Sequence, residues 1–193
     1  MSSYSLSDFI LFSETTYYRQ FELYNLAVWP LHLIAVLFLL LILYTLWKKP
    51  VWSGQLNAML LVIAWVWIAW AFLYQRFYLI HVVANWYAWV FVLQAGLIAW
   101  YGLVKKQLII CRKSLLRISL SFVLLFISFI LYPFLALLSG RSWLQFEMFA
   151  LAPDPTVLGT IAILLINKAP RFLYVIPVLW GVISYSTLLV MSS

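Results

Sequence analysis

The sequence predicts an all-α integral membrane protein of about six transmembrane helices, the fifth short, preceded by an amphipathic helix at the membrane interface. Three observations lead there. Apolar and aromatic residues make up 67% of the 193 positions and charged residues 9%, with a mean hydropathy of +1.05. A soluble domain carries about 25% charged residues and about 45–50% apolar ones. A water-soluble fold of this length has neither the interior to hide this much apolar surface nor the charge to stay dissolved. The charges also fall in short clusters between long apolar runs. Twelve Lys and Arg against five acids give +7, but that clustering argues against a nucleic-acid partner and for a lipid bilayer.

The elements follow in order. The stretch 1–24 is too polar to span. Leu6, Phe9, Ile10, Tyr17 and Phe21 recur at roughly helical spacing around Asp8, Glu14 and Arg19, and Ser5 with Asp8 resembles a capping box. It reads as an amphipathic segment on the outer membrane surface. No basic n-region of a signal peptide precedes the first long apolar run, which begins near Leu26.

A spanning helix needs about 17–25 apolar residues to cross about 30 Å of hydrocarbon. Residues 26–47, 56–74, 86–104, 118–138 and 172–191 meet that need, and the first four are closed by Lys48-Lys49-Pro50, Gln75-Arg76, Lys105-Lys106 and Ser139-Gly140-Arg141. The segment 156–166 is apolar over only about 16 Å at 1.5 Å per residue. Counting Pro155 and a snorkelling Lys168, the stretch 155–168 reaches about 21 Å. It is either a short sixth span or a re-entrant half-helix.

Charge separates the two. With six spans, one side holds Lys48, Lys49, Lys105, Lys106, Arg112, Lys113, Arg117, Lys168 and Arg171. The other keeps Arg19, Arg76 and Arg141 with all five acids, Asp8, Glu14, Glu22, Glu147 and Asp154. Nine of the twelve basic residues then share a face, which the positive-inside rule makes cytoplasmic, with both termini outside. A re-entrant segment moves Lys168 and Arg171 across and weakens the division, so six spans is the better reading. The chain is one polytopic domain, 1–193, without a linker or close repeat. Three spans on either side of the basic 105–117 loop permit inverted halves, although the halves do not visibly align.

Polar groups inside a bilayer are expensive, and each needs a reason. His32 lies near the outer end of the first span, His81 and Asn85 in the outer connection between spans two and three, and Glu147 and Asp154 in the outer loop before the short span. Two imidazoles and two carboxylates are donors for a metal or proton site, but their spacing follows no metal motif. The plainer alternative is separate helix-end groups facing headgroups and water. Pro153-Asp154-Pro155-Thr156 reads as Asp at the N-cap with Pro at the first helical position. Because that helix is short, its positive N-terminal end sits in a depression, where an anion or polar solute can be met. A structural cap is the plainer role for Asp154.

Gln94, among Ala95, Gly96 and Ala99, suits close helix packing and an interhelical hydrogen bond, with pore lining as the secondary reading. Trp65, Trp67 and Trp70 lie deep for a residue that favours interfaces. Packing among helices or against a partner explains them better than a pigment, quinone or haem, since no pair of buried histidines offers bis-His ligation. Trp29, Trp47, Trp52, Trp86, Trp100 and Trp143 fit interfacial belts. The single cysteine, Cys111, excludes an intrachain disulfide and a Cys-based zinc site. It reads as an ordinary cytoplasmic thiol. No Walker loop, GxGxxG, GxSxG, HExxH or CxxC is present, so no enzyme, catalytic residue, metal or cofactor is expected.

Ser13-Glu14-Thr15-Thr16-Tyr17-Tyr18-Arg19-Gln20-Phe21-Glu22-Leu23-Tyr24-Asn25-Leu26-Ala27-Val28-Trp29-Pro30, then Gln94-Ala95, Pro153-Asp154-Pro155-Thr156, and Pro170-Arg171-Phe172-Leu173-Tyr174-Val175-Ile176-Pro177-Val178-Leu179-Trp180 lie in order over nearly the whole chain. In these stretches the chain resembles the multi-pass bacterial membrane proteins of domain-of-unknown-function family 6064. The Tyr-Asn-x-Ala-Val-Trp-Pro stretch is the most specific of them. The resemblance implies a bacterial inner-membrane protein of about six helices with no established activity. It also directs attention to Tyr24, Asn25, Trp29, Pro30, Asp154, Pro155 and Thr156. The chain departs from the family twice. Asp154 stands where the family often has Cys, and no aromatic-His pair occurs around Tyr74-Gln75, so Cys/His chemistry is not carried over.

The leading expectation is a small permease-like protein handling a small solute through an outward-facing polar depression lined by Tyr24, Asn25, His32, His81, Asn85, Glu147 and Asp154. The rival is a non-catalytic accessory subunit of a larger membrane complex or a homo-oligomer, with the tryptophans and the basic loop meeting partners. A redox or pigment-binding protein is the third reading.

Overall fold

The computed structural model describes residues 13–110, 114–167 and 169–192. The capping box expected at Ser5 and Asp8, and Cys111, Arg112, Lys113 and Lys168, lie outside the described residues. Every regular element among the described residues is helical.

Helix α1 (Glu14–Val28) starts at Ser13, whose hydroxyl accepts a hydrogen bond from the Thr16 amide, the capping for which serine is favoured. It ends before Pro30, which follows a cis Trp29–Pro30 peptide and has no amide with which to continue the ladder. The apolar run expected as one span over 26–47 is therefore divided. Its first residues finish α1, and α2 covers Leu31–Lys48. Helix α1 buries Phe21, Tyr24 and Asn25 and stacks Phe21 on Phe72 with ring centroids 4.7 Å apart. It is part of the bundle's packing.

Among the described residues five helices are long and apolar enough to cross a membrane: Leu31–Lys48, Ser53–Leu79, Ala84–Val104, Leu115–Leu138 and Arg171–Met191. Three of them contain π-helical turns. Helix α3 (Ser53–Trp67) continues through Ile68–Tyr74, α4 (Ala84–Ala99) through Trp100–Val104, and α5 (Leu115–Phe126) through Ile127–Leu131 into α6 (Tyr132–Leu138). The ladder widens there to i→i+5, as in the Gln75 amide donating to the Trp70 carbonyl at 3.1 Å, and the residues beyond are rotated about the axis.

Helix α7 (Pro153–Ile166) is the short one. Its 14 residues rise about 21 Å, less than a hydrocarbon core. Pro155, Thr156, Val157, Gly159, Thr160 and Ile163 are all buried, because α3, α5 and α8 surround it. A helix too short to span is tolerable where protein rather than lipid covers its ends. Trp65 Nε1 donates to Thr160 Oγ1 at 2.9 Å, and the Ser128 hydroxyl donates to the Pro155 carbonyl at 2.5 Å. At Gly159 an added Cβ would lie 2.6 Å from the Phe149 ring, so the ring occupies the place of a side chain.

Helix α8 (Val175–Ser192) follows the 3-10 turn Arg171–Tyr174 and runs back antiparallel to α7. Gln94 Nε2 donates to the Leu173 carbonyl at 2.9 Å, tying α4 to that turn. Gly96, expected on a packing face, points outward with nothing within 4 Å of an added Cβ. The close approach of α4 to α3 is made one to two turns later, at Gly102, where that Cβ would lie 2.2 Å from the Ala58 Cβ.

The bundle has two chemically different ends. One carries Lys48, Lys49, Lys105, Lys106, Arg117 and Arg171, with Leu108 folded against Gly54 and Gly102 and Tyr101 on Phe172. The other carries α1 and the 80–83 and 139–152 connections, with Glu14, Glu22, Glu147 and Asp154 beside Arg19, Arg76 and Arg141.

Candidate functional site

The acidic end is organised around the start of α7. The N-cap is Ala152, with Pro153 and Pro155 in the first turn, so Asp154 is not the cap that the sequence suggested. Thr156 does the local work: its hydroxyl donates to the Ala152 carbonyl at 2.7 Å and accepts from the Ala150 amide at 2.8 Å. Asp154, inside the first turn, turns its carboxylate sideways. It accepts from Trp180 Nε1 at 2.6 Å, from the Ser184 hydroxyl at 2.6 Å and from the Tyr132 hydroxyl at 3.2 Å. One carboxylate thus joins α6, α7 and α8.

A second cluster joins α1 to the 139–152 connection. Asn25 Nδ2 donates to the Leu144 carbonyl at 2.8 Å and to the Phe146 carbonyl at 2.9 Å, and its Oδ1 lies 3.3 Å from His32 Nε2. His32 packs on Phe146. Arg19 pairs with Glu22, and Gln145 Nε2 reaches Glu22 at 3.4 Å.

Arg141 lays its guanidinium over Tyr18, 3.7 Å from the ring centroid, and meets Glu147 at 4.0 Å. That distance is the outer limit of an ion pair. Burial first, and then the Asp154 charge, push the Glu147 carboxyl up to about 8 against the pull of Arg141. Burial raises the Tyr17 hydroxyl well above its ordinary value, and the Asp154 and Glu147 charges add to that.

Between these clusters lies a cavity of about 50 Å³. Tyr17 of α1, Phe72 and Phe77 from the end of the second long helix, His81, Tyr87 of α4, Pro153 of α7, and Trp180 and Ser184 of α8 line it. A void needs about 10–15 Å³ of such space to hold one water, so this one takes about three to five waters or a solute of a few heavy atoms. Its walls are mostly rings: Tyr17 and Phe77 stand 5.8 Å apart, His81 and Tyr87 6.0 Å, and Tyr87 and Trp180 5.5 Å. Trp180 and Ser184, which line it, are the residues that hold Asp154. Burial lowers the His81 pKa below the ordinary imidazole value, so its ring is neutral near pH 7.

The residues expected to line one depression therefore separate. His81 reaches the cavity and Asp154 stands directly behind its wall. Asn25, His32 and Glu147 belong to the neighbouring cluster around 144–147. Tyr24 turns away, its hydroxyl accepting from Trp67 Nε1 at 2.7 Å. Asn85 lies in an outward apolar groove with Trp70, Tyr74 and Trp89. Of the deep tryptophans, Trp65 is fully buried, Trp67 half-buried and Trp70 exposed. Among the described residues no three His, Cys, Asp or Glu side chains form a metal-binding group.

Sequence reasoning missed the ring walls of the cavity, Tyr17, Phe72, Phe77 and Tyr87, and also Arg141, Tyr132, Trp180 and Ser184. Arg141 follows the turn at Gly140, which sits at φ +70°. An arginine in an otherwise acidic outer loop was a usable signal. Tyr132 and Ser184 sit in apolar spans, where nothing in the pattern singles them out, and Trp180 is marked only as the end of a family-like stretch.

No curated protein and no solved structure matches the chain. The Family of unknown function (DUF6064) matches residues 14–193, and with nearly its whole length covered the chain belongs to that family.

Proposed function

We propose that the protein is a permease-like protein of the bacterial inner membrane that takes a small solute into the cavity between Tyr17, His81, Trp180 and Ser184. The cavity is the observation that carries this reading. It lies at the N-terminal end of a short buried helix, and α1, α4, α7, α8 and the end of the second long helix converge on it. Interrupted or short helices that end inside a bundle are a recurring way to place a solute site within a membrane protein. The sidedness follows from charge. The end with most Lys and Arg faces the cytoplasm by the positive-inside rule, so six crossings put the cavity end and both termini outside. The cluster does the work of binding, and no catalytic step is assigned to it.

Three small planar probes differ mainly in charge: guanidinium, urea and nitrate. Their entry into proteoliposomes of the purified full-length protein tests the reading. The expected result is accelerated flux of at least one probe, abolished by Thr187→Phe, which pushes a ring into the cavity from its rim. No acceleration of any of them would overturn it.

One observation favours a second reading, a non-catalytic subunit of a larger complex. Trp70, Tyr74, Asn85 and Trp89 line an outward groove of about 250 Å³ on the α3–α4 face. Stoichiometric foreign subunits after gentle extraction, lost on Trp89→Ala, would support it.

A further inference from the structure

The chemistry of the cavity wall narrows the solute, taking the cavity as the solute site proposed above. Three features act together. The carboxylate of Asp154 is one hydrogen bond behind the wall, held by Trp180 Nε1 and the Ser184 hydroxyl of two residues that line the cavity. Its third partner is the neutral Tyr132 hydroxyl. Three neutral donors satisfy the oxygens of a carboxylate without balancing its charge. The nearby Arg141 is directed to Glu147 and to the Tyr18 ring. Glu147, pushed up to about 8, keeps most of its proton near pH 7, so Asp154 is the carboxylate left to act on the cavity, and its hydrogen-bond partners are all neutral.

The walls say what kind of charge fits. Tyr17, Phe77, Tyr87 and Trp180 offer ring surfaces, whose negative faces attract an organic cation. A bare alkali or alkaline-earth ion needs a shell of oxygens instead, and rings do not supply one. An anion would meet the field of the Asp154 carboxylate. The one imidazole present, His81, is neutral near pH 7 and does not repel a cation.

We infer that the cavity takes a small organic monocation, an ammonium or guanidinium group of a few heavy atoms, with the aromatic rings as its walls and Asp154 as its counter-charge. Guanidinium and urea share shape and size and differ in charge, and nitrate is a planar anion of similar size. The three probes therefore separate this inference from the permease reading on which it rests.

In proteoliposomes, guanidinium uptake should exceed that of protein-free liposomes at least tenfold, with urea and nitrate at background. Asp154→Asn should reduce guanidinium uptake at least tenfold. Acceleration of urea or nitrate in place of guanidinium would overturn the cation and leave the permease standing, whereas flux of none would remove both. Undiminished guanidinium uptake by Asp154→Asn would overturn the role of that carboxylate. A binding measurement on the wild-type protein does not depend on the variant folding. Millimolar guanidinium chloride should change the intrinsic tryptophan fluorescence saturably, through Trp180, while equal urea or sodium chloride does not. An equal response to urea or sodium would contradict the inference.

Discussion

Asn25 is the residue through which α1 holds the 139–152 connection, and its replacement should open that connection. The Asn25 amide donates at 2.8 Å and 2.9 Å to two carbonyls of one short segment, and the residue is 6% exposed. A net hydrogen bond contributes about 0.5–1.5 kcal/mol, and an acceptor left buried without a donor costs about 1–3 kcal/mol. Asn25→Ala removes both donors at an end of the bundle where water can replace part of what is lost. The expected cost is about 2–3 kcal/mol, which corresponds to an open population about 30- to 150-fold larger. Asn25→Asp keeps the shape but puts an acceptor oxygen where the Nδ2 donor met both carbonyls, so it should be worse than alanine. The assay is tryptic cleavage after Arg141 in detergent-solubilised protein at low protease, where the rate follows the open population. Cleavage rates within threefold of wild type in both variants, or an aspartate variant more resistant than the alanine one, would show that Asn25 does not hold the connection.

Two further predictions follow from packing and charge. Gly102→Ala should lower thermal stability markedly, by about 1–3 kcal/mol of overpacking, because its Cβ would fall 2.2 Å from that of Ala58. Gly96→Ala, with nothing within 4 Å, should be neutral or stabilising by about 0.5–1 kcal/mol; parallel melting curves in one detergent compare them. Glu147 is held near 8 in the folded state from an ordinary 4.5. A carboxyl raised on folding keeps its proton longer in the native state, so its stabilising share is complete below the unfolded value and is lost as pH rises. Stability should therefore fall from about pH 5 to about pH 8 and level off above. Glu147→Gln should flatten that slope, and an unchanged pH profile would count against the burial of this carboxyl.

Much of the architecture was legible because a bilayer leaves few alternatives. Long apolar runs closed by Lys48-Lys49, Lys105-Lys106 and Ser139-Gly140-Arg141 marked the helices, and the clustering of basic residues marked one end of the bundle. The limits were local. The apolar character continuing through Trp29-Pro30 predicts one helix from Leu26, whereas the missing Pro30 amide divides it. Pro155 as the first helical residue predicts Asp154 at the N-cap. Pro153 is equally competent there, so the helix starts earlier and the carboxylate is freed to face α6 and α8.

The site was only partly readable for a related reason. The family-like stretch pointed to Asn25, and the structure pairs it with His32. Trp180, Ser184 and Tyr132 sit in helices that are apolar on every side. In such helices the pattern that separates inside from outside in a soluble protein carries little contrast. Which of their faces meets Asp154 is set by tertiary packing, and by the π turn before Tyr132 that rotates α6. Gly96 and Gly102 show the same limit, since two glycines on one helix differ in role through the neighbour each happens to meet.

The measurement closest to the central claim is thiol accessibility at the cavity rim. Thr187→Cys in a Cys111→Ser background gives the protein one thiol, beside Ser184 and Trp180. A membrane-impermeant maleimide applied to intact spheroplasts should label it from outside, and guanidinium chloride should slow the labelling where equal urea does not. Labelling only after the membrane is opened, or labelling indifferent to guanidinium, would contradict an outward-facing site for a small cation.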